Sequence, residues 1–589
     1  MKKLFLLVFV ALMATATAEA KKKSVSIRFV ETSDVHGALL PYDYINRRAK
    51  GGSMARVDSY VRRQRAEMGR NLILMDNGDL LQGQPICYYY NYIATDKENI
   101  GAEVVNFMGY DIQNFGNHDV ETGHACYDKW ASEVKAPLLG ANIIDTTTGK
   151  PYVKPYEIIV RDGVKIAVLG MISAAIPSWL EEDLWSGLKF ENMLDASKKW
   201  IDHLRQNEQP DLIVGLFHAG REGGITTDDY EENPTERIAR EVPGFDIIFF
   251  GHDHQKHCEV MDNCEGGKVW LLDPVSGAQH VAEAEVTLTI DDRGKKGTKV
   301  LDKKITGRIV SVEDEPLSEA FMEHFAPHDK EVREYIDRTI GTFTETIYTR
   351  DCFFGSGAFN DLIHNMQLAL TGAQVSFTAP LSFNAKIEKG ELRVSDMFNL
   401  YRFENKLAVV MLSGEEIRRH LEMSYDLWVN TMTGDGDHIM KMKVKTDGGR
   451  ERYDFENMSF NFDSAAGIDY VVDVTKPDGE KVCILRMSDG SAFNPEAMYK
   501  VAMNSYRANG GGELLTKGAG LTKAEIERRV VWKSDLDLRY YLMKEIERLG
   551  TVSPKANDNW RFVPEELAAP AIERDFKLLF PSVKTPFRK

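Results

Sequence analysis

The sequence predicts an α/β protein built as two domains, and three observations carry that prediction. At 589 residues the chain exceeds what one hydrophobic core holds. From Ser24 to about Val310, short apolar runs rich in β-branched and aromatic residues alternate with helical stretches such as Ser53–Glu67 and Asp195–Asn207, as in an α/β layer with a largely parallel sheet. Several of those runs end in a polar cluster, and the carboxyl ends of strands are where such layers form sites.

The elements follow in order. Residues 1–20, MKKLFLLVFVALMATATAEA, read as a secretory signal with a charged start at Lys2 and Lys3, an apolar stretch from Leu4 to Met13, and a small-residue cleavage point at Ala18 or Ala20. The stretch is short of the ~20 apolar residues a membrane span needs. The mature protein is therefore expected to be periplasmic or secreted, free of the membrane. Residues 24–310 form the first domain, closed by Val281–Ile290, whose alternation suits a half-exposed antiparallel strand. Residues 311–340 carry a connecting helix, read from Leu317 to Arg338. Residues 341–549 form a second α+β domain, and residues 550–589 a tail of short helices packed on the outside.

Composition excludes some functions. A formal charge of −17 argues against binding a nucleic-acid polymer, whose phosphates want a basic face. A small anion would need a local positive partner, such as metal ions. The six cysteines are too few for a disulfide scaffold; Cys258 and Cys264 are close enough to bridge a small loop, with free thiols the equal alternative.

The polar clusters carry the chemistry. S-V-S-I-R-F-V-E leads into T-S-D-V-H-G with Asp34 and His36, and N-L-I-L-M into D-N-G-D with Asp79. Residues 114–119 read N-F-G-N-H-D, with Asn117, His118 and Asp119; D-L-I-V-G-L-F leads into His218, and F-D-I-I-F-F into G-H-D-H with His252 and His254. Imidazole, carboxylate and amide oxygen without thiolate suit Zn²⁺, Mn²⁺ or Fe²⁺. One aspartate can bridge two ions about 3.5–4 Å apart, a pair suited to phosphoryl displacement. His124, His203, His257, His324, His328, His364, His420 and His438 lie outside the pattern and read as structural; His280 is a candidate for the entrance.

D-x-H-G, G-D, G-N-H-D, H and G-H-x-H, in that order, resemble the calcineurin-type metallophosphoesterases, and the likeness to their nucleotidase branch covers nearly the whole mature chain. The resemblance implies a four-layer β-sandwich flanked by helices, a linker helix and a C-terminal α+β nucleotidase domain. It implies that Asp34, His36, Asp79 and His254 hold one ion, and that Asp79, as bridge, with Asn117, His218 and His252 holds the other. His118 would face the substrate, oriented by Glu121 or alternatively by Asp119. In the second domain L-Y-R-F-E-N (Leu400–Asn405) and N-S-Y-R-A-N-G-G-G (Asn504–Gly512) look like the loops that sandwich a nucleobase, with Phe403 and Tyr506 on its two faces and Asn405 near its edge or the ribose. By analogy the connecting helix is expected to act as a hinge.

Two departures separate the chain from typical 5′-nucleotidases. Thr378–Ala385 lacks the arginine of their N-G-G-x-R, and Gly512, followed by Glu513, stands where G-G-D-G has its aspartate. A-P-L-S-F, N-F-D-x-x-x-G-I-D-Y and E-T-S-D-V-H are instead similar to the bacterial 2′,3′-cyclic-nucleotide 2′-phosphodiesterase/3′-nucleotidases. The expected activity is theirs, by a monomer, with a 5′-nucleotidase or UDP-sugar hydrolase on the same scaffold as the alternative. A non-catalytic nucleotide-binding protein is the rival of another class.

Overall fold

The structure is a computed structural model that describes residues 21–292, 298–447 and 450–583; the signal reading of residues 1–20 lies outside them. The first domain holds two six-stranded sheets rather than one layer. In the first sheet, strands Lys21–Thr32, Leu72–Asp76, Ile112–Asn114 and Leu138–Leu139 run parallel, while His280–Asp292 and Thr298–Ser311 add antiparallel pairs at one edge. In the second, Val164–Ile172, Leu212–His218, Ile247–Phe250 and Lys268–Pro274 run parallel, with Tyr156–Arg161 and Lys256–Asp262 antiparallel at the two edges.

The sheets pack face to face through alternate residues. Val25, Ile27 and Phe29 of the first meet Val214, Leu216 and Phe249 of the second in one buried cluster. Helices cover both outer faces, giving four layers. Helix Met54–Met68 buries Met54, Val57, Tyr60, Val61 and Gln64, the spacing of one helical face, toward the first sheet. Helix Met193–His203 does the same for the second. Helix Glu319–Ile336 lies on the first domain's outer helical layer, where Phe321, Phe325 and Val332 join its core and Asp329 accepts a 2.6 Å hydrogen bond from the Tyr44 hydroxyl.

The second domain centres on a five-stranded sheet containing Val375–Thr378, Lys406–Ser413, Met498–Asn504 and Val530–Asp537, with helices Ala358–Thr371 and Gly414–Trp428 against it. The tail is not an external appendage, contrary to the sequence expectation. Thr551–Val552 pairs with Thr339–Phe343, and Trp560–Val563 lies parallel to Ile468–Asp473. Trp560, Phe562, Phe576, Leu579 and Phe580 enter the second domain's main core. The apolar residues recur at strand spacing and then at helix spacing among many charges, which masked them.

Cys258 and Cys264 are both free and exposed. Among the described residues no helix is long and apolar enough to cross a membrane.

Candidate active site

The carboxyl ends of both sheets converge. Asp34 follows strand Lys21–Thr32, Asp79 follows Leu72–Asp76, and Asn117 follows Ile112–Asn114; from the other sheet come His218, the last residue of its strand, and His252 just past Ile247–Phe250. Asp34, His36, Asp79, His252 and His254 all have φ between 48° and 78°, the left-handed region that non-glycine residues rarely adopt. Such strain persists only where the surroundings over-determine it, and it collects at functional sites.

Two groups of candidate ligands result. His254 Nε2 is 3.3 Å from Asp34 Oδ1 and 3.1 Å from His36 Nε2. His218 Nε2 lies 3.1 Å from both Asp79 Oδ2 and Asn117 Oδ1, and His252 Nδ1 is 2.8 Å from the same amide oxygen. Asp34 can contribute to both groups, and Asp79 Oδ2 is also 3.9 Å from His36 Nε2, so two carboxylates face the space between them. His280 opens its strand and belongs to neither group.

The donor set fits divalent ions. Asp34 Oδ1 is buried and makes no well-aligned hydrogen bond, the His254 ring nitrogen at 3.3 Å being the near group, which is costly for a carboxylate unless a cation meets it. His218 Nδ1 is 2.8 Å from the Asn77 carbonyl and His36 Nδ1 is 3.3 Å from that of Gln82. Each ring therefore has its other nitrogen aimed into the site, the way metal-binding histidines are held. Burial pushes His36 down to about 4, leaving it neutral and able to ligate. Burial also disfavours charge on His218, but Asp79 and Asp34 outweigh it and hold its pKa up at about 9.

His118 stands beside the ligands, its ring 5.4 Å from that of His36. Helix Asn117–Glu121 puts His118 and Glu121 on one face, and His118 Nδ1 donates to Glu121 Oε2. Burial opposes charge on His118, yet Asp79 and Glu121 raise its pKa to about 10. Asp119 does something else. Its two oxygens accept from the backbone N–H groups of Asp79, Leu80, Leu81 and Gly116 at 2.8–3.0 Å, tying one ligand loop to the next. Gly116 sits at φ −111°, open to any residue. A Cβ there, however, would lie 2.1 Å from Asp79 Oδ1, so the glycine makes room for a carboxylate rather than for a turn.

The second domain reaches over this site. Glu404 accepts from Gln82 Nε2 of the first domain at 3.0 Å and from Arg539 Nη2 of its own domain at 2.9 Å. Phe403 and Tyr506 are both half-buried on adjoining loops, joined by Lys406 N–H donating to Ser505 Oγ at 3.1 Å. Tyr506 meets Phe460 edge-on at 6.3 Å, and Asn405 Oδ1 accepts from the Tyr401 hydroxyl at 3.4 Å. Gly512 has φ 67°, and a Cβ there would fall 2.1 Å from Asn461 Oδ1 and 2.4 Å from Arg507 Nη1. Arg507, buried and bonded to Asp463, fills the space an aspartate would need. Between the domains lies a cleft of about 1110 Å³, lined by Trp185, Phe190 and Tyr230 on one side and Gly510–Gly512 on the other.

Three neighbours were not singled out from the sequence. Glu404 lies inside a quoted loop, between two residues that were named. Gln82 follows Asp79 closely. Glu232, 3.1 Å from His252 Nε2, sits in the acidic run D-D-Y-E-E-N, which reads as a solvated loop.

Residues 27–256 match the calcineurin-like phosphoesterase family, and residues 339–517 match the 5′-nucleotidase C-terminal domain. The chain is a metal-dependent phosphoric ester hydrolase. It belongs to the 5′-nucleotidase family of calcineurin-like metallophosphoesterases. It is 25% identical to a 2′,3′-cyclic-nucleotide 2′-phosphodiesterase/3′-nucleotidase of Yersinia enterocolitica, over 94% of this chain and 90% of that one. A protein of the same name from Haemophilus influenzae is 26% identical over 94% and 90%. The fold is shared with a solved 5′-nucleotidase candidate from Staphylococcus aureus, at TM-score 0.74 and 19% identity, over 91% of this chain and all of that one.

Proposed function

We propose that the protein, exported and freed of residues 1–20, hydrolyses 2′,3′-cyclic nucleotides and 3′-nucleotides to nucleosides and phosphate. In this reading Asp34, His36, Asp79, Asn117, His218, His252 and His254 hold two divalent ions, Zn, Mn or Fe. The ions, when bound, supply positive charge for the phosphoryl oxygens and lower the pKa of a water. His118, charged and anchored by Glu121, stabilises the negative charge that develops on phosphorus-bound oxygen or gives its Nε2 proton to the leaving oxygen. Phe403 and Tyr506 take the base between them, and Asn405 meets its edge or the ribose. Glu404 keeps their loop beside the ligand loop through Gln82. The enzyme works as a monomer in the periplasm or outside the cell, salvaging phosphate and nucleosides.

The observation that carries this reading is the His118–Glu121 pair standing beside the ligand groups, under a second-domain loop bonded to Gln82. The relatives named for cyclic-nucleotide and 3′-nucleotide hydrolysis, aligned over 94% of the chain, support the substrate class. The filled space around Gly512 favours it over a 5′-nucleotidase. The test is phosphate release by Mn²⁺-loaded protein from 2′,3′-cyclic AMP, 3′-AMP and 5′-AMP, with His118→Ala as control. Turnover of the first two with little of the third is expected. Preference for 5′-AMP would return the assignment to the 5′-nucleotidases, and equal inertness of wild type and variant would remove the nucleotide reading.

A further inference from the structure

The geometry points to Glu232 as the positioning residue for His252, and through it for one of the two ions; this rests on the ligand reading above. The His252 ring uses both nitrogens. Nδ1 faces Asn117 Oδ1 at 2.8 Å, on the side where His218 and Asp79 converge, and Nε2 faces Glu232 Oε1 at 3.1 Å. With Nδ1 as the ligand atom the proton belongs on Nε2, and the carboxylate accepts it. That bond fixes the tautomer and makes Nδ1 a stronger donor.

Glu232 is itself held still. Its Oε2 accepts from the Ile225 N–H at 2.7 Å, and its backbone carbonyl accepts from Ser173 Oγ at 2.8 Å. Trp179 covers the ring from another side, with centroids 5.3 Å apart at 35°. The other candidate histidines differ. His218 and His36 turn their second nitrogen to backbone carbonyls, which no side-chain substitution removes. Only on His252, among the described ligand candidates, does a carboxylate that is not itself a ligand take this place. The ion held by Asn117, His218 and His252 should therefore be tuned separately from the one held by Asp34, His36 and His254.

The test is equilibrium dialysis of the full chain against Mn²⁺, which does not depend on turnover. Wild type should hold two ions. Glu232→Ala should weaken one of them about 10–100-fold and leave the other within a few-fold. Glu232→Gln, whose amide oxygen can still accept from Nε2–H although its NH2 then faces the Ile225 N–H, should lose less than Glu232→Ala. In a His252→Ala background, adding Glu232→Ala should produce no further loss, because the two act as one unit. Unchanged affinities in Glu232→Ala, equal weakening of both ions, or additive losses in the double variant would each overturn the inference. A wild type that holds no ions would instead sink the ligand reading beneath it.

Discussion

Nδ1 of His118 donates to Glu121 three residues further along the same short helix, leaving Nε2 as the ring's other nitrogen. The pair is separate from the ligands, so its loss should spare the ions. His118→Ala should lower kcat about 10²–10⁴-fold, and Glu121→Gln about ten-fold, with metal content equal to wild type. Steady-state kinetics beside metal analysis checks this; a variant that also loses its ions would place His118 among the ligands.

Asp119 fastens the loops rather than orienting His118. Asp119→Asn keeps the shape but removes the charge from four backbone contacts. A loss of about 2–3 kcal/mol in urea denaturation is expected, with weaker metal binding following. Full stability with lost turnover would show that the carboxylate serves catalysis directly.

Chelation should stop turnover and lower the midpoint of thermal unfolding. Without cations Asp34 and Asp79 remain buried at 0% and 1% exposure, close together. An ion at a hundred times its Kd stabilises the fold by about 2.7 kcal/mol. Calorimetry with and without EDTA, then with Mn²⁺ restored, decides; an unchanged midpoint would contradict a site at these residues.

Substitutions at the base loops should act on binding. Tyr506→Ala should raise KM about 5- to 150-fold, since stacking one base contributes about 1–3 kcal/mol. Gly512→Asp should not create a 5′-nucleotidase, because the added side chain strikes Asn461 and Arg507. It should instead lower stability, and rising 5′-AMP turnover in a well-folded variant would refute that.

The second domain carries its own acid limit. Burial works against a charged Asp463, but Arg507 and His420 outweigh it and hold the carboxyl down at about 2. The folded pKa lies below the unfolded value, so the stabilisation is present above about pH 4 and lost as pH falls through 2. Wild type should exceed Asp463→Asn in denaturant resistance by about 2 kcal/mol or more at pH 7. The gap should narrow below about pH 3; a gap independent of pH would remove the ionic part of the argument.

Much of the candidate site's clustering was legible because its sequence pattern is local. Asp34 with His36, and His252 with His254, are two apart in sequence, and each apolar run ahead of them ends where a ligand is needed. Glu232 was not legible. It reaches His252 across a loop and shares the run D-D-Y-E-E-N with four other acids or amides, so only the folded arrangement separates it from them. Gly116 was legible as a glycine but not for its reason, which lies in the Asp79 carboxylate 37 residues earlier. The tail failed for a related cause. Trp560 and Phe562 alternate like a strand, but the partner strand Ile468–Asp473 lies far upstream, and its place cannot be read from the run itself.

That pairing has a bearing on the order of events during synthesis. The first domain's sheets are complete once residue 311 has been made. The second cannot close its core until residues 560–580 are available, because Trp560, Phe562 and Phe576 fill it. A chain threaded through a translocation channel from its amino end would emerge with one finished domain and one waiting, its apolar sheet uncovered for the time needed to make about 150 further residues after Lys406–Ser413 has formed. In an exported chain the second domain would thus be the half most in need of a holdase on the far side of the membrane.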